Sequence, residues 1–335
     1  MNILLTGGTG YIGSHTAVAL SQLDHQVVLY DNLSNSSDSV IKKLEQITGQ
    51  QIRFVRGDVR DTELVKKTLA TYCIDAVIHF AGLKAVGESV KKPIDYYANN
   101  VQGTISLLQA MHSQQIKTLV FSSSATVYGE PVYLPYDEAH PTRAANPYGR
   151  CKLHVEEMVA DVTISDPDWR VACLRYFNPV GAHDSGLIGE NPNDIPNNLM
   201  PYIAQVASGE RKVLNIFGND YPTRDGTGVR DYIHVMDLAE GHTAALKFLS
   251  QNLGWHALNM GTGQGYSVLD MVDAFEKASG RQVPYKIVAR RAGDIAEFYA
   301  NPRKAERELG WKAHRGIEIM CSSTWNYQAR LSGKA

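Results

Sequence analysis

Short apolar runs alternate with longer helical patterns through the first half of the chain. The runs are rich in β-branched residues and cover residues 3–5, 27–30, 52–55, 76–80, 119–122 and 171–176. Strands that are apolar on both faces and separated by helices are typical of a parallel sheet covered by helices on each side. The pattern therefore predicts an α/β fold built on a doubly wound parallel sheet.

The character of the sequence changes after about residue 178. Residues 179–231 are rich in Gly, Pro, Asn and Asp, and contain one helical pattern near 197–208. Further helical patterns follow at 236–250, 267–279, 302–309 and 316–329. We therefore predict a smaller, loop-rich α/β unit over 179–335 that packs on the first unit, 1–178. Because ligand contacts concentrate in loops laid over a rigid sheet, we expect this second unit to contact a ligand. A segment near 232–250 could return to that first unit.

Composition and charge narrow the class of protein. The 335 residues carry 33 Lys and Arg against 35 Asp and Glu, a net charge of −2, so no basic excess attracts nucleic acid or an anionic membrane. Any anionic ligand must be met by cations placed locally. The 4 cysteines are too few and too widely spaced for a disulfide framework or a CxxC metal site. No apolar stretch reaches the roughly 18 residues of a membrane span, and we expect a cytoplasmic protein without a metal.

A glycine-rich turn follows the first predicted strand. It contains G-x-G-x-x-G at Gly8, Gly10 and Gly13, and Asp31 follows the second predicted strand, 18 residues after Gly13. Glycines let the chain approach a pyrophosphate, and the next helix offers free N–H groups to it. A carboxylate at Asp31 accepts hydrogen bonds from a ribose 2′-hydroxyl and repels a 2′-phosphate. The pattern predicts a Rossmann-type site for NAD rather than NADP; a glycine-rich turn without a nucleotide is the alternative.

A second group of residues predicts the chemistry. Tyr148 and Lys152 are four residues apart on a predicted helix and share a face, and Ser124 ends the fifth predicted strand. An ammonium beside a phenol favours the phenolate, so Lys152 is expected to lower the pKa of Tyr148 and make it a base nearer neutral pH. Ser124 can share a hydrogen bond with the reacting hydroxyl. We interpret Tyr128 as scaffold and Cys151 as core.

The glycine-rich turn, the strand-end serine and the Y-x-x-x-K pair, in this order, resemble the extended short-chain dehydrogenase/reductase superfamily. A closer similarity, to the UDP-glucose 4-epimerase (UDP-galactose 4-epimerase) family, lies in residues 80–89, 122–129, 176–182, 195–201, 226–235 and 290–294. The resemblance implies an isomerase of galactose metabolism with tightly bound NAD, which oxidises the sugar at C4, lets the 4-keto intermediate rotate and returns the hydride to the opposite face. It also implies a homodimer built from helices over 93–113 and 147–165, for which the sequence offers apolar residues such as Ile105, Leu108, Met158 and Val159.

The resemblance assigns roles to residues at matching positions. Tyr148, Lys152 and Ser124 would be catalytic. The implied NAD site comprises Gly7, Gly10, Tyr11, Ile12, Gly13, Asp31, Asn32, Leu33, Ser34, Asn35, Ser36, Asp58, Val59, Phe80, Ala81, Gly82, Leu83, Lys84, Asn99, Ser124, Tyr148, Lys152 and Phe177. The implied UDP-galactose/UDP-glucose site comprises Ser124, Tyr148, Asn178, Asn198, Leu199, Asn215, Ile216, Phe217, Arg230, Arg291, Asp294 and Phe298. Lys84 could equally be a surface lysine.

Two substrate positions leave alternatives open. A diphosphate favours the planar donors of arginine, which supports Arg230 and Arg291, although Arg230 could pair with Asp231 instead. Phe298 stands where bacterial members of the family commonly carry tyrosine. Smaller residues there go with N-acetylated sugars, so its bulk implies a preference for UDP-glucose and UDP-galactose, which the lost hydroxyl leaves open.

Other functions must be weighed against this interpretation. A sugar-nucleotide 4,6-dehydratase forms the same 4-keto intermediate, but such relatives carry an Asp-Glu pair where this chain has Ala125 and Thr126. A decarboxylase or epimerase of UDP-glucuronate would need a cation for the sugar carboxylate. A non-catalytic NAD-binding regulator would have no need of the tyrosine, lysine and serine together.

Overall fold

The computed structural model describes residues 1–191, 196, 198–291 and 293–333. Its strands are β1 (Asn2–Thr6), β2 (Gln26–Asp31), β3 (Arg53–Arg56), β4 (Ala76–His79), β5 (Thr118–Ser124), β6 (Arg170–Tyr176), β7 (Asn178–Val180), β8 (Leu214–Phe217), β9 (Val229–His234), β10 (Gly254–Met260), β11 (Gly265–Ser267), β12 (Tyr285–Val288) and β13 (Glu297–Phe298). Residues 195 and 197 of the similarity segment 195–201 lie outside the described residues.

Twelve α-helices are described, and none of them is both long and apolar enough to cross a membrane. They are α1 (Tyr11–Ser21), α2 (Ser39–Thr48), α3 (Thr62–Thr71), α4 (Val86–Lys91), α5 (Pro93–Tyr96), α6 (Gln102–Ser113), α7 (Pro147–Ser165), α8 (Leu199–Ala207), α9 (Val235–Leu249), α10 (Val268–Ser279), α11 (Arg303–Leu309) and α12 (Ile317–Leu331). A π-helical turn, Tyr97–Val101, joins α5 to α6.

Seven parallel strands form the main sheet, in the spatial order β10-β6-β5-β4-β1-β2-β3. The order reverses between β1 and β4, which is the switch point where doubly wound folds bind ligands. The predicted doubly wound parallel sheet is therefore confirmed. Smaller sheets follow in the later part of the chain, where β9 pairs with β7, β11 and β13, and β8 pairs with β12.

Both faces of the main sheet are buried, which explains the uninterrupted apolar runs. Ile3 and Leu5 pack in one cluster with side chains of α1 and α9, whereas Leu4 packs in a second cluster with side chains of α6 and α7. A fully buried side chain of this size contributes about 1.5–3 kcal/mol. A third cluster joins α8, α10 and α12 to β8 and forms the core of the loop-rich part.

Strand β10 is an element that the apolar pattern did not predict. Its sequence contains His256 and Asn259, which break the apolar run. Asn259 is fully buried because its side chain donates to Tyr136 O at 2.9 Å and accepts from the Tyr128 hydroxyl at 2.7 Å. Tertiary hydrogen bonds thus satisfy polar side chains that sequence periodicity would place at a surface.

Candidate functional site

A cavity of about 1060 Å³ opens at the carboxyl ends of β1 and β4. Its wall contains most of the predicted cofactor residues: Gly7, Gly10, Tyr11, Ile12, Gly13, Asp31, Asn32, Ser34, Asn35, Ser36, Val59, Phe80, Ala81, Gly82, Leu83, Lys84, Asn99, Tyr148 and Lys152. The other four, Leu33, Asp58, Ser124 and Phe177, are not in the wall but directly adjoin wall residues along the chain.

The glycine-rich turn is too tight for a side chain at Gly7 and at Gly13. Gly7 has φ +69°, and a Cβ there would lie 2.7 Å from Ala81 N. A Cβ at Gly13 would lie 2.5 Å from Gly7 O. Gly10 is the N-cap of α1 and has no side chain that could accept a hydrogen bond from the first N–H groups of this helix. These N–H groups lie at the cavity, whose wall contains Gly10 to Gly13. Such an end favours an anion.

Asp31 ends β2 with its carboxylate beside the turn. It is 8% exposed and accepts hydrogen bonds from Thr9 N at 3.2 Å, Leu33 N at 2.9 Å and Ser36 Oγ at 3.2 Å. These donors fix the carboxylate while leaving it lone pairs for a ligand hydroxyl. The carboxyl of Asp58 is occupied differently, since Arg60 donates two hydrogen bonds to it, at 2.8 and 2.7 Å, and lowers its pKa.

A loop after β4, residues 80–85, lies in the cavity wall together with Tyr148 and Lys152. Asn100, which sequence reasoning missed, lies in the π-helical turn beside Asn99 and clamps this loop: its Oδ1 accepts from Leu83 N at 2.8 Å and its Nδ2 donates to Leu83 O at 2.9 Å. π-Helical turns are frequent at functional sites. The hydrophobic periodicity of the sequence does not predict this π-helical turn between α5 and α6.

Lys84 and Asn198 come together on a carboxylate that the sequence did not single out. Lys84 Nζ lies 2.9 Å from Glu190 Oε1, and Asn198 Nδ2 donates to the same oxygen at 2.7 Å. Glu190 and Asn198 both lie in the cavity wall, so a residue expected at the cofactor and one expected at the substrate share a partner. About half of the Lys84 side chain is exposed, but its ammonium pairs with Glu190 in the cavity wall.

Helix α7 presents the tyrosine and lysine to the cavity. It begins with Asn146 as N-cap, whose side chain accepts from Gly149 N at 2.9 Å. The Lys152 ammonium donates to Ser122 O at 2.5 Å and to Ser122 Oγ at 3.2 Å, and lies 5.9 Å from the centre of the Tyr148 ring. The predicted juxtaposition of the tyrosine and the lysine is thus present at the end of β5.

Burial dominates the ionisation of this pair. It raises the pKa of Tyr148 to about 12, partly offset by the interaction with the Ser124 hydroxyl, and lowers the pKa of Lys152 to about 8. The expected lowering of the Tyr148 pKa by Lys152 is therefore wrong for the protein alone. The ammonium is directed at Ser122 rather than at the phenol oxygen, so desolvation prevails over charge attraction.

The two arginines expected at the substrate have different partners. Arg230 Nη1 donates to Val229 O at 2.8 Å, and none of the described carboxylates forms an ion pair with it. Asp231 is instead fully buried and accepts from Thr262 N, at 2.9 and 3.1 Å, and from backbone N–H groups farther along the chain. Arg291 pairs with Asp294 at 2.9 Å. The alternative Arg230–Asp231 ion pair is absent.

Phenylalanine rings lie beside both of these arginines. The centre of the Phe298 ring lies 5.2 Å from that of Phe177, and β13 places Phe298 opposite Arg230 on β9. Arg291 lies 4.8 Å from the centre of the Phe217 ring. Phe298 therefore adjoins both Phe177 and Arg230, and Phe217 adjoins Arg291.

The remaining substrate positions are spread over neighbouring elements. Asn178 begins β7 beside β9, Leu199 begins α8, and Asn215 and Ile216 lie in β8. Asn215 Oδ1 is buried and has no hydrogen-bond partner among the described residues. Of the predicted substrate residues, Tyr148 and Asn198 are in the cavity wall. A buried acceptor without a partner suits a ligand that brings its own donor.

These features together fit a dinucleotide, and Tyr148 lies in the wall of the same cavity. The turn admits no side chain at Gly7 or Gly13, the helix N-terminus has no side-chain cap, and a carboxylate ends β2. The doubly wound fold and the Ser124, Tyr148 and Lys152 set define an enzyme of the extended short-chain dehydrogenase/reductase class.

Comparisons with known proteins agree. Residues 4–324 match the family model described as GDP-mannose 4,6 dehydratase. The UDP-glucose 4-epimerase of Bacillus subtilis (strain 168) is 57% identical over 98% of this chain and 97% of that relative. The crystal structure of UDP-glucose-4-epimerase from Stenotrophomonas maltophila with bound NAD and formylated UDP-arabinopyranose is 52% identical, covers 100% of both chains and has a TM-score of 0.98. That from Bifidobacterium longum in complex with NAD+ and UDP is 51% identical over 100% of both chains, with a TM-score of 0.96. The chain belongs to the UDP-glucose 4-epimerase family.

Proposed function

We propose that the protein is an NAD-dependent isomerase that interconverts UDP-galactose and UDP-glucose by inverting C4 of the sugar. The observation that carries this proposal is the position of Tyr148 and Lys152 in the wall of a cavity that fits a dinucleotide. The relatives named above, more than 50% identical over nearly the whole chain, support the same activity.

The cofactor is proposed to lie between the glycine-rich turn and Lys152. The N–H groups at Gly10 to Gly13 would hold the pyrophosphate, and Asp31 would accept from the adenosine ribose. Residues 32–36 contain no arginine to accommodate a 2′-phosphate, which supports NAD. When bound, NAD supplies a reversible hydride acceptor for C4. The other cofactor positions expected from the family are proposed in the same sense.

Tyr148 is proposed to be the base for the C4 hydroxyl and the acid for the 4-keto sugar. Ser124 interacts with the Tyr148 hydroxyl and can hold the substrate oxygen beside it. In the protein alone the pKa of Tyr148 is about 12, too high for a base near neutral pH. A positively charged nicotinamide ring would favour the phenolate and would add to the attraction of the Lys152 ammonium, which desolvation outweighs in the protein alone. Because the hydride and the proton removed from one epimer would both be returned in forming the other, no net oxidation would occur.

The UDP portion is proposed to be anchored by Arg230 and Arg291. A guanidinium suits a diphosphate because its donors bind two oxygens at once. Arg230 has no competing carboxylate among the described residues, whereas Arg291 must exchange Asp294 for phosphate. Asn178, Asn198, Leu199 and residues 215–217 are proposed to complete the site. Anchoring through UDP leaves the sugar free to turn over and present its other face.

Phe298 is proposed to restrict the sugar. Its ring packs between Tyr136, at 4.8 Å between centres, and Phe177, at 5.2 Å. This packing fixes a bulky group beside Arg230 and supports a preference for UDP-glucose and UDP-galactose over N-acetylated sugars. A dehydratase is not favoured, since Ala125 and Thr126 carry no carboxylate for elimination.

Three further expectations remain proposals. The chain is proposed to divide near residue 178 into an NAD-binding unit, 1–178, and a UDP-sugar-binding unit, 179–335, although α9 packs on α1 and β10 pairs with β6. It is proposed to work in the cytoplasm, where its 4 free thiols would stay reduced.

The third proposal is a homodimer through residues 93–113, which contain α5 and α6, and residues 147–165, which form α7. Leu108 and Val159 are buried within the protomer and are unavailable to a partner, which corrects their expected role at the interface. Ile105 and Met158 are half-buried, and Val90 and Ile94 are 63% and 81% exposed. The dimer proposal therefore rests on this second set. Light scattering at micromolar concentration should give twice the chain mass; a monomer overturns it.

The activity is tested with UDP-galactose and purified protein without added NAD. Formation of UDP-glucose without release of NADH is expected, and Tyr148→Phe should lose nearly all turnover while keeping bound NAD. Tyr285→Phe, which removes a hydroxyl from an exposed tyrosine on β12, is the matched control. Near-normal turnover of Tyr148→Phe would refute the base, and loss of water from the sugar would indicate a dehydratase.

A further inference from the structure

A run of buried polar groups leads away from Lys152 into the core. Lys152 donates to Ser122 Oγ at 3.2 Å, and the Ser122 hydroxyl interacts with the Tyr176 hydroxyl. The Tyr176 oxygen lies 2.5 Å from His242 Nε2, and His242 Nδ1 lies 2.8 Å from Leu238 O. These four side chains are at most 7% exposed.

The chemistry of its two ends fixes the direction of every hydrogen bond in this run. A backbone carbonyl only accepts, so His242 Nδ1 carries the proton and the neutral ring accepts at Nε2. Burial lowers the pKa of His242 to about 4, which keeps the ring neutral at pH 7. Tyr176 must then donate to His242. At the other end, the Lys152 ammonium only donates, so Ser122 accepts from it and can pass its own hydrogen to Tyr176.

The run also crosses the main sheet. Lys152 belongs to α7, which packs in the cluster on one face, and His242 belongs to α9, which packs in the cluster on the other. Ser122 and Tyr176 lie at the carboxyl ends of the neighbouring strands β5 and β6. His242 is absent from the cavity wall but contacts two wall residues: it hydrogen-bonds to Tyr176, and its ring centre lies 4.9 Å from that of Phe80. Of these two contacts, only the hydrogen bond to Tyr176 continues to Lys152.

We propose that Tyr176 and His242 are positioning residues, which hold Ser122 as an acceptor and so keep the Lys152 ammonium charged at its place in the catalytic set. This inference rests on the proposed function, because it assigns a role within that same site. It extends the set by two residues that neither the Y-x-x-x-K motif nor the cofactor turn contains.

The physical reason is competition for Ser122 Oγ. Without an acceptor at His242, the Tyr176 hydroxyl hydrogen loses its buried partner and turns to Ser122, where it competes with Lys152. The ammonium then loses an acceptor in a site where burial already lowers its pKa to about 8. A cut in the run should therefore lower the Lys152 pKa further, by about one unit for one hydrogen bond to a charged group.

A substitution of His242 removes no direct contact of the other ionisable groups near Lys152. Glu156 and Cys151 on α7 and Cys173 on β6 act to raise its pKa, while His79 on β4 lies close enough for mutual repulsion with it. The Lys152 ammonium lies 5.9 Å from the centre of the Tyr148 ring. None of these groups hydrogen-bonds to His242, so a shift in the variants reports the run itself.

The test compares His242→Leu with His242→Gln. Gln can accept from Tyr176 where the Nε2 atom lies, and Leu cannot. His242→Leu is expected to move the alkaline limb of the kcat–pH profile down by about one pH unit, with little change in KM, and His242→Gln should restore most of it. Ala245→Gly, a buried position on the same helix, controls for loss of stability alone.

The Lys152 titration is read independently of activity, by NMR of the protein made with carbon-13-labelled lysine and assigned with Lys152→Arg. The same downward shift is expected in His242→Leu. If wild-type protein fails to epimerise while this shift is seen, the proposed function fails and the positioning role stands. An unchanged Lys152 titration in His242→Leu, an equal shift in His242→Gln, or the same shift in Ala245→Gly overturns the role.

Discussion

The helix that carries Tyr148 and Lys152 is anchored by a buried ion pair one turn beyond the lysine. Glu156 accepts from Arg175 Nε at 3.0 and 3.2 Å and from Arg175 Nη2 at 2.6 Å, and also from the Ser123 hydroxyl. The two charged side chains are 2% and 4% exposed. We predict that removing one partner is far more costly than removing both.

The magnitude follows from what each variant leaves behind. Arg175→Met leaves the Glu156 carboxylate buried without a counter-ion, which costs about 3–5 kcal/mol of unfolding free energy. The double variant Glu156→Leu with Arg175→Met buries no charge, and apolar replacement of a buried pair is often neutral. It still deprives Ser123 and Tyr128 of one partner each, at about 1 kcal/mol apiece. The expected loss for the double variant is therefore about 1–3 kcal/mol.

Urea unfolding followed by tryptophan fluorescence measures these losses. Trp169 immediately precedes β6 and Trp255 lies in β10, so both report on the edge of the sheet to which Arg175 belongs. Two results would refute the reasoning. One is a loss below about 1 kcal/mol for Arg175→Met, as at a surface ion pair. The other is a double variant as unstable as the single one.

Three further predictions concern the cofactor turn and pH. Gly13→Ala should lower the NAD content of the purified protein at least about tenfold, because its Cβ would lie 2.5 Å from Gly7 O; full NAD content would contradict the tight turn. Asp31→Ala should weaken NAD binding by about 1.5–3 kcal/mol in calorimetry with NAD-free protein, while NADP binding should change less; equal effects on both would argue against the ribose contact. Stability should fall from pH 6.5 to about pH 4 by more than the roughly 1.4 kcal/mol per pH unit of one histidine, because unfolding lets neutral buried rings take up protons. A pH-independent urea midpoint over this range would contradict it. The rings concerned have pKa values lowered by burial to about 3 or 4: His15, His79, His234 and His242.

The sequence predicts six of the seven main strands, because each contains a short apolar run. Five of them are buried on both faces, and the edge strand β3 is only partly buried. It does not predict β10, since the polarity of Asn259 is compensated by Tyr128 and by the backbone of Tyr136. Such compensation depends on residues more than a hundred positions away. Periodicity within a short window carries no trace of it.

The candidate site, like the fold, was only partly predictable from the sequence. The cavity brings the glycine-rich turn, Asp31 and the Tyr148–Lys152 pair together as their spacing predicts. The high pKa of Tyr148 could not be predicted, because the spacing fixes the proximity of the ammonium but not its direction toward Ser122. Glu190 also has no local signal, since its partners lie on two other segments.

The central claim, inversion at C4 through a hydride that never leaves the site, is tested most directly with UDP-galactose carrying deuterium at C4. The enzyme is incubated with this substrate in ordinary water, and the UDP-glucose formed is analysed by mass spectrometry and NMR. We predict full retention of deuterium at C4 with no free NADH. Loss of the label to solvent, or its appearance at C6 of a dehydrated sugar, would contradict the account.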